Sequence, residues 1–106
     1  MTIVLCDDQP IYLREASGIL KTYAEKNDMS FEIVTFTDSA VLCEQDDVVP
    51  DILFLDIRMD GQDGIETGRR VNLKWRKCRI VYLTDYISYA TDVYQTEHVY
   101  YVLKPD

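Results

Sequence analysis

The 106 residues of this chain are enough for one domain with its own hydrophobic core and too few for a second. Its 11 basic and 19 acidic side chains leave a net charge of −8, which argues against direct binding of nucleic acid because phosphate backbones are repelled. No apolar run approaches the roughly 18 residues of a membrane-spanning helix, and the first residues lack the pattern of a signal peptide. We therefore expect a cytoplasmic protein with no membrane partner.

The first predicted element is a buried strand over residues 2–6, which ends in the acidic pair Asp7-Asp8. Pro10 suits the first turn of a helix, which we expect to end near residues 27–28. The apolar residues predicted to form one face of this helix are Ala16, Ile19, Leu20, Tyr23 and Ala24. A second strand follows over residues 31–36, and Asp38 or Ser39 can cap a short helix through about Gln45.

The central predicted strand covers residues 52–56, where four consecutive apolar residues follow a turn signal and end in the carboxylate of Asp56. The loop over residues 57–64 contains two glycines, which permit backbone turns that other residues resist. A helix running to about Lys77 is then predicted. Its inner face comprises Ile65, Gly68, Val71 and Trp75.

Two further strands are predicted, over residues 79–83 and 99–103, with a helix over residues 86–94 between them. The first of these strands ends in Thr84 and the second in Lys104-Pro105. The three cysteines, Cys6, Cys43 and Cys78, have neither disulfide nor zinc spacing, so we expect buried thiols.

Alternation of strands and helices predicts an α/β fold with a doubly wound parallel sheet of five strands. The flavodoxin-like strand order 2-1-3-4-5 would make the first and third strands neighbours. No helix follows the last strand, so we expect residues 1–106 to be one domain, cut short or part of a longer protein.

Functional side chains follow four of the predicted strands: Asp7 and Asp8, Asp56, Thr84, and Lys104. In the order 2-1-3-4-5 the carboxylates converge at one edge of the sheet, where like charges repel each other unless a cation joins them. Mg²⁺ prefers such oxygen ligands. A lysine and a hydroxyl nearby would suit an incoming phosphoryl group, whose transfer depends on positioning and charge neutralisation.

These motifs, together with the Met-x-x-x-Asp-Gly loop at residues 59–64, resemble the receiver domains of bacterial two-component response regulators over essentially the whole chain. The resemblance implies that Asp56 accepts a phosphoryl group from a sensor histidine kinase. It further implies an Mg²⁺ site at Asp56, with Asp8 binding directly, Asp7 directly or through water, and the backbone carbonyl of Arg58 completing the set. Thr84 would move to the phosphoryl oxygen, Lys104 would pair with it, and Tyr101 would act as the aromatic switch.

A narrower similarity, over residues 81–90 and 100–105, is to receivers that precede LytTR-type DNA-binding domains of transcription regulators. It implies that DNA is bound only through a separate output domain. Phosphorylation would alter the surface of the fourth helix and fifth strand, where homodimers could form.

Two other functions are compatible with parts of this pattern. A phosphatase with an aspartate nucleophile usually has a second acid two residues on, but Arg58 stands there, so an independent enzyme is not expected. A phosphorylation-independent pseudo-receiver would serve only as a binding module, and the presence of every expected site residue argues against it.

Overall fold

The computed structural model describes residues 1–59, 62–84 and 100–103, and for residues 58–59, 62–63, 84 and 100–103 it describes the backbone alone. Five parallel strands form one sheet in the order β2-β1-β3-β4-β5, which confirms the predicted topology. The strands are β1 Thr2–Cys6, β2 Glu32–Phe36, β3 Ile52–Asp56, β4 Arg79–Thr84 and β5 Tyr100–Leu103. The described helices are α1 Pro10–Lys26, α2 Ser39–Glu44 and α3 Gly64–Lys74. The helix predicted over residues 86–94 lies outside the described residues.

Both faces of the central strands are covered, which explains their continuous apolar sequence. On one face, Ile3 and Leu5 of β1 pack with Leu13 of α1. On the other, Val4 and Cys6 belong to a larger cluster that includes residues of β3, α2 and α3. Since successive side chains of a strand point to opposite faces, one five-residue strand contributes to both halves of the core.

The buried face of α1 differs from the predicted one at two positions. Leu13 and Ala24 are buried, and Ala16 and Leu20 pack against the core. Ile19 and Tyr23, however, are 69% and 53% exposed, so their assignment to the inner face was wrong. Each precedes a core-facing residue by one position, which on an α-helix turns the side chain by about 100°.

The termini of α2 and α3 show which predicted boundaries were correct. The carboxylate of Asp38 accepts a hydrogen bond from the amide of Ala40 at 2.8 Å, which confirms the predicted cap of α2. Helix α3 ends at Lys74 rather than near Lys77. Trp75 is nevertheless buried, because its amide still donates to the carbonyl of Val71 and continues the last turn.

The longest described helix, α1, has 17 residues and carries charged side chains along its length. Within the described part of the chain, no helix is both long enough and apolar enough to cross a bilayer.

Candidate metal and phosphoryl site

Three carboxylates meet at the carboxyl edge of the sheet. Cys6 of β1 lies beside Leu55 of β3, so the next residues, Asp7 and Asp56, are neighbours across the two strands. One oxygen atom from each of Asp7, Asp8 and Asp56 lies within 4.8 Å of the others. Asp7 and Asp56 are only 3% and 4% exposed, and Asp8 is half-buried. The structure therefore brings together the three acids that the sequence places at these strand ends.

Backbone contacts hold Asp7 in this position. Its amide donates to the carbonyl of Phe36 at 3.1 Å, which extends the pairing of β1 with β2 by one residue. Its side-chain oxygen Oδ1 accepts a hydrogen bond from the amide of Gln9 at 3.0 Å. The carboxylate therefore also orders the short connection that leads from β1 into α1.

The residue after Asp56 is fixed on both sides. The amide of Ile57 donates to the carbonyl of Leu83 in β4 at 3.0 Å, and the carbonyl of Ile57 accepts from the amide of Gly64 at 2.6 Å. Beyond it, Arg58 pairs with Asp63 and Met59 with Gln62 in a short antiparallel ladder. The sequence predicted a loop here from its glycines, but it gave no sign of this closure onto Ile57.

Two other predicted site residues, Thr84 and Tyr101, lie on the strands β4 and β5. Thr84 ends β4, one residue after Leu83, which is the partner of Asp56. It pairs with Leu103 of β5, and the backbone of Tyr101 pairs with Tyr82. These registers put the ends of β3, β4 and β5 at the same edge. The position of Lys104 lies outside the described residues, as do the side chains of Thr84, Tyr101 and Arg58.

The donor set fits a hard divalent cation. Three carboxylates supply only oxygen ligands, which suit Mg²⁺ or Ca²⁺ rather than the nitrogen and sulfur ligands typical of zinc sites. Cys6 precedes the acidic pair, but its side chain is buried in the main hydrophobic cluster, and burial raises the pKa of its thiol to about 12.

Proteins of one family are similar to this chain in sequence and in fold. The sequence matches the family model of the response regulator receiver domain over residues 3–106. The chain belongs to this family. An uncharacterized response regulatory protein of Vibrio cholerae is 33% identical to this receiver domain, in a match that covers 98% of the chain described here. The transcriptional regulatory protein LytR of Staphylococcus aureus is 29% identical, in a match that covers 99% of the same chain.

The receiver domain spans only 39% and 42% of the length of these two relatives. Among solved structures, the response regulator TrrA of Thermotoga maritima, crystallised in complex with Mg²⁺ and BeF, matches with a TM-score of 0.75. The two sequences are 25% identical, and the match covers 98% of this chain and 86% of TrrA.

The thiols of the receiver domain are expected to lower its stability in alkaline solution. None of the three cysteines forms a disulfide and all three are buried, as predicted, and burial raises the pKa of each thiol. For Cys6 the pKa rises from 9.0 to about 12. The unfolded chain therefore ionises this thiol first, so its contribution is complete below pH 9 and is lost as the pH rises toward 12.

Urea unfolding of the wild type and of Cys6→Ala between pH 8 and the alkaline limit of folding measures this effect. We expect the free energy of unfolding to fall more steeply with pH in the wild type, since the Cys6 thiol is the one titratable group that differs between the two proteins. If the free energies of unfolding of the two proteins fell equally with pH, the raised pKa of Cys6 would be contradicted.

Proposed function

We propose that this receiver domain is a phosphoacceptor switch in which Asp56 takes a phosphoryl group from a sensor histidine kinase with the help of Mg²⁺. The observation that supports this most directly is the convergence of Asp7, Asp8 and Asp56 within 4.8 Å, two of them almost fully buried. The Mg²⁺ and BeF bound to TrrA are consistent with the same role for this site.

In the proposed reaction, an oxygen of the Asp56 carboxylate attacks phosphorus, and the bond from phosphorus to the histidine nitrogen of the kinase breaks. The imidazole ring of the kinase carries a proton on its other nitrogen, so it leaves as a neutral histidine, and the second product is an acyl phosphate on Asp56. Mg²⁺, when bound, neutralises charge on the phosphoryl oxygens. Asp7, Asp8, Asp56 and the backbone carbonyl of Arg58 would hold the ion, while Lys104 would pair with the phosphoryl group.

The proposed output uses the remaining predicted residues. Thr84 would move toward the phosphoryl oxygen and Tyr101 would turn inward, which changes the surface of the fourth helix and β5. That surface would control homodimerisation or an attached LytTR-type DNA-binding domain beyond residue 106. The greater length of the relatives and the transcriptional role named for LytR support such an output domain. The protein would act in the cytoplasm and would not be an independent enzyme.

The test is phosphorylation by acetyl phosphate with and without Mg²⁺, followed by intact-mass measurement. We expect the wild type to gain one phosphoryl group only when Mg²⁺ is present, and Asp56→Asn to gain none. The matched control is Asp47→Asn, which removes an exposed carboxylate away from the cluster and should react like the wild type. A folded wild type that takes up no phosphate would contradict the proposal and favour the pseudo-receiver.

A further inference from the structure

The residue that connects the predicted phosphoacceptor to the predicted metal-binding carbonyl is bonded through both of its backbone polar groups and buried in the core. Ile57 lies between Asp56 and Arg58, and both of its backbone polar groups are bonded, to Leu83 and to Gly64. Its side chain is 1% exposed and belongs to the main hydrophobic cluster. The direction in which the chain leaves Asp56 is therefore determined by β4 on one side and by Gly64 on the other.

Gly64 can make this contact because it has no side chain. It is buried at the first position of α3, and a β-carbon built on it would overlap the carbonyl oxygen of Asp56 and the backbone of Ile57. Backbone atoms cannot rotate away as the end of a flexible side chain can. Any other residue at position 64 must therefore move the loop away from Asp56.

The contact also closes the loop that contains Arg58. The pairs Met59 with Gln62 and Arg58 with Asp63 form successive rungs of an antiparallel ladder. The bond from Gly64 to Ile57 is the next contact in the same direction, and it leads directly into α3. The backbone of Arg58 therefore pairs with Asp63 and directly follows Ile57, which is bonded to Leu83 and Gly64.

We propose that Gly64 is a positioning residue of the phosphoryl site: its missing side chain lets the loop close on Asp56 and Ile57 and so fixes the backbone at Arg58 relative to the three carboxylates. This inference rests on the proposed function, because it assumes that the backbone carbonyl of Arg58 and the carboxylates bind one divalent cation. A side chain at position 64 would shift the backbone of Asp56 and Ile57 and with it the carbonyl of Arg58, whereas Asp7 and Asp8 follow a different strand.

The first test compares Mn²⁺ binding, measured by electron paramagnetic resonance of the free ion, in three versions of the chain: wild type, Gly64→Ala and Val71→Ala. Val71 is fully buried in the same helix and two turns away, so its truncation destabilises α3 without entering the loop. We expect Gly64→Ala to raise the Kd for Mn²⁺ by about tenfold or more, as loss of supporting contacts does at other metal sites, and Val71→Ala to change it by less than about twofold. Circular dichroism at the same temperature shows whether each variant is folded.

The second test needs no variant and therefore stands even if Gly64→Ala does not fold. Coupling is reciprocal: if loop closure favours metal binding, metal binding must favour closure. Hydrogen exchange of the Gly64 amide, followed by nuclear magnetic resonance, should slow on saturation with Mg²⁺ by about tenfold more than exchange of the Gly68 amide one turn further along α3.

The outcomes separate this inference from the proposed function. Mn²⁺ binding by Gly64→Ala within about twofold of the wild type, equal weakening in both variants, or equal slowing of the two amides would overturn the positioning role alone. Failure of the wild type to bind Mn²⁺ would overturn the proposed function and the inference with it.

Discussion

Replacing Gly68 with alanine is expected to destabilise the receiver domain strongly, although the same change in an exposed helix usually stabilises by up to about 1 kcal/mol. Gly68 is buried in α3, and a β-carbon there would overlap the hydroxyl group of Tyr82, which is fully buried in β4. Because Tyr82 is fully buried, its ring can yield only by displacing its neighbours in the core, so we expect a loss of about 1–3 kcal/mol from overpacking. Urea unfolding followed by the fluorescence of Trp75, the only tryptophan, measures it.

Two further variants show whether this contact is the cause. Gly18→Ala, in an exposed turn of α1 with open space around the new methyl group, should stabilise the protein slightly. In the Gly68→Ala background, Tyr82→Phe removes the overlapping oxygen and should restore part of the lost free energy, although Tyr82→Phe alone destabilises by removing a buried hydroxyl. The idea fails if the two substitutions are simply additive.

Much of the sheet could be predicted because its signals are local. β1 and β3 are short apolar runs ending in acids, and a parallel sheet buried on both faces requires such sequences. The cap at Asp38 and the proline at the start of α1 are likewise local, and each was found at its expected place. Once the strand order was assumed, the meeting of Asp7, Asp8 and Asp56 followed from the directions of the strands.

The wrong predictions and the missed contacts arise where residues far apart in the sequence decide which side chains are buried or in contact. Ile19 and Tyr23 match a helical apolar face as well as their neighbours do, and only the position of α1 on the sheet shows that they point outward. Gly68 lies on the inner face of α3 as predicted, but the tyrosine that excludes a side chain there lies in β4, so the helix sequence alone does not reveal the contact. Gly64 carried an ordinary loop signal, and its contact with Ile57 appears only when the loop has folded back.

Substituting Asp8 with asparagine is expected to separate the stability of the receiver domain from its response to Mg²⁺. Three carboxylates within 4.8 Å repel each other when no cation joins them, so removing one charge should leave the metal-free protein at least as stable as the wild type. The same change removes an anionic ligand. Ligand binding stabilises the wild type by about 2.7 kcal/mol at an Mg²⁺ concentration of about 100 times its Kd, and most of this gain should be lost.

Urea unfolding with and without MgCl₂, at constant ionic strength, measures both effects. The control matters because the chain has a net charge of −8, and any divalent cation reduces repulsion across such a surface. Asp47→Asn changes the net charge by the same amount away from the cluster, so it should keep the full response to Mg²⁺. The difference between the two variants in the free energy gained from Mg²⁺ is then the contribution of Mg²⁺ binding at the three carboxylates. If the two variants respond alike, Mg²⁺ acts through general screening and Asp8 is not a ligand.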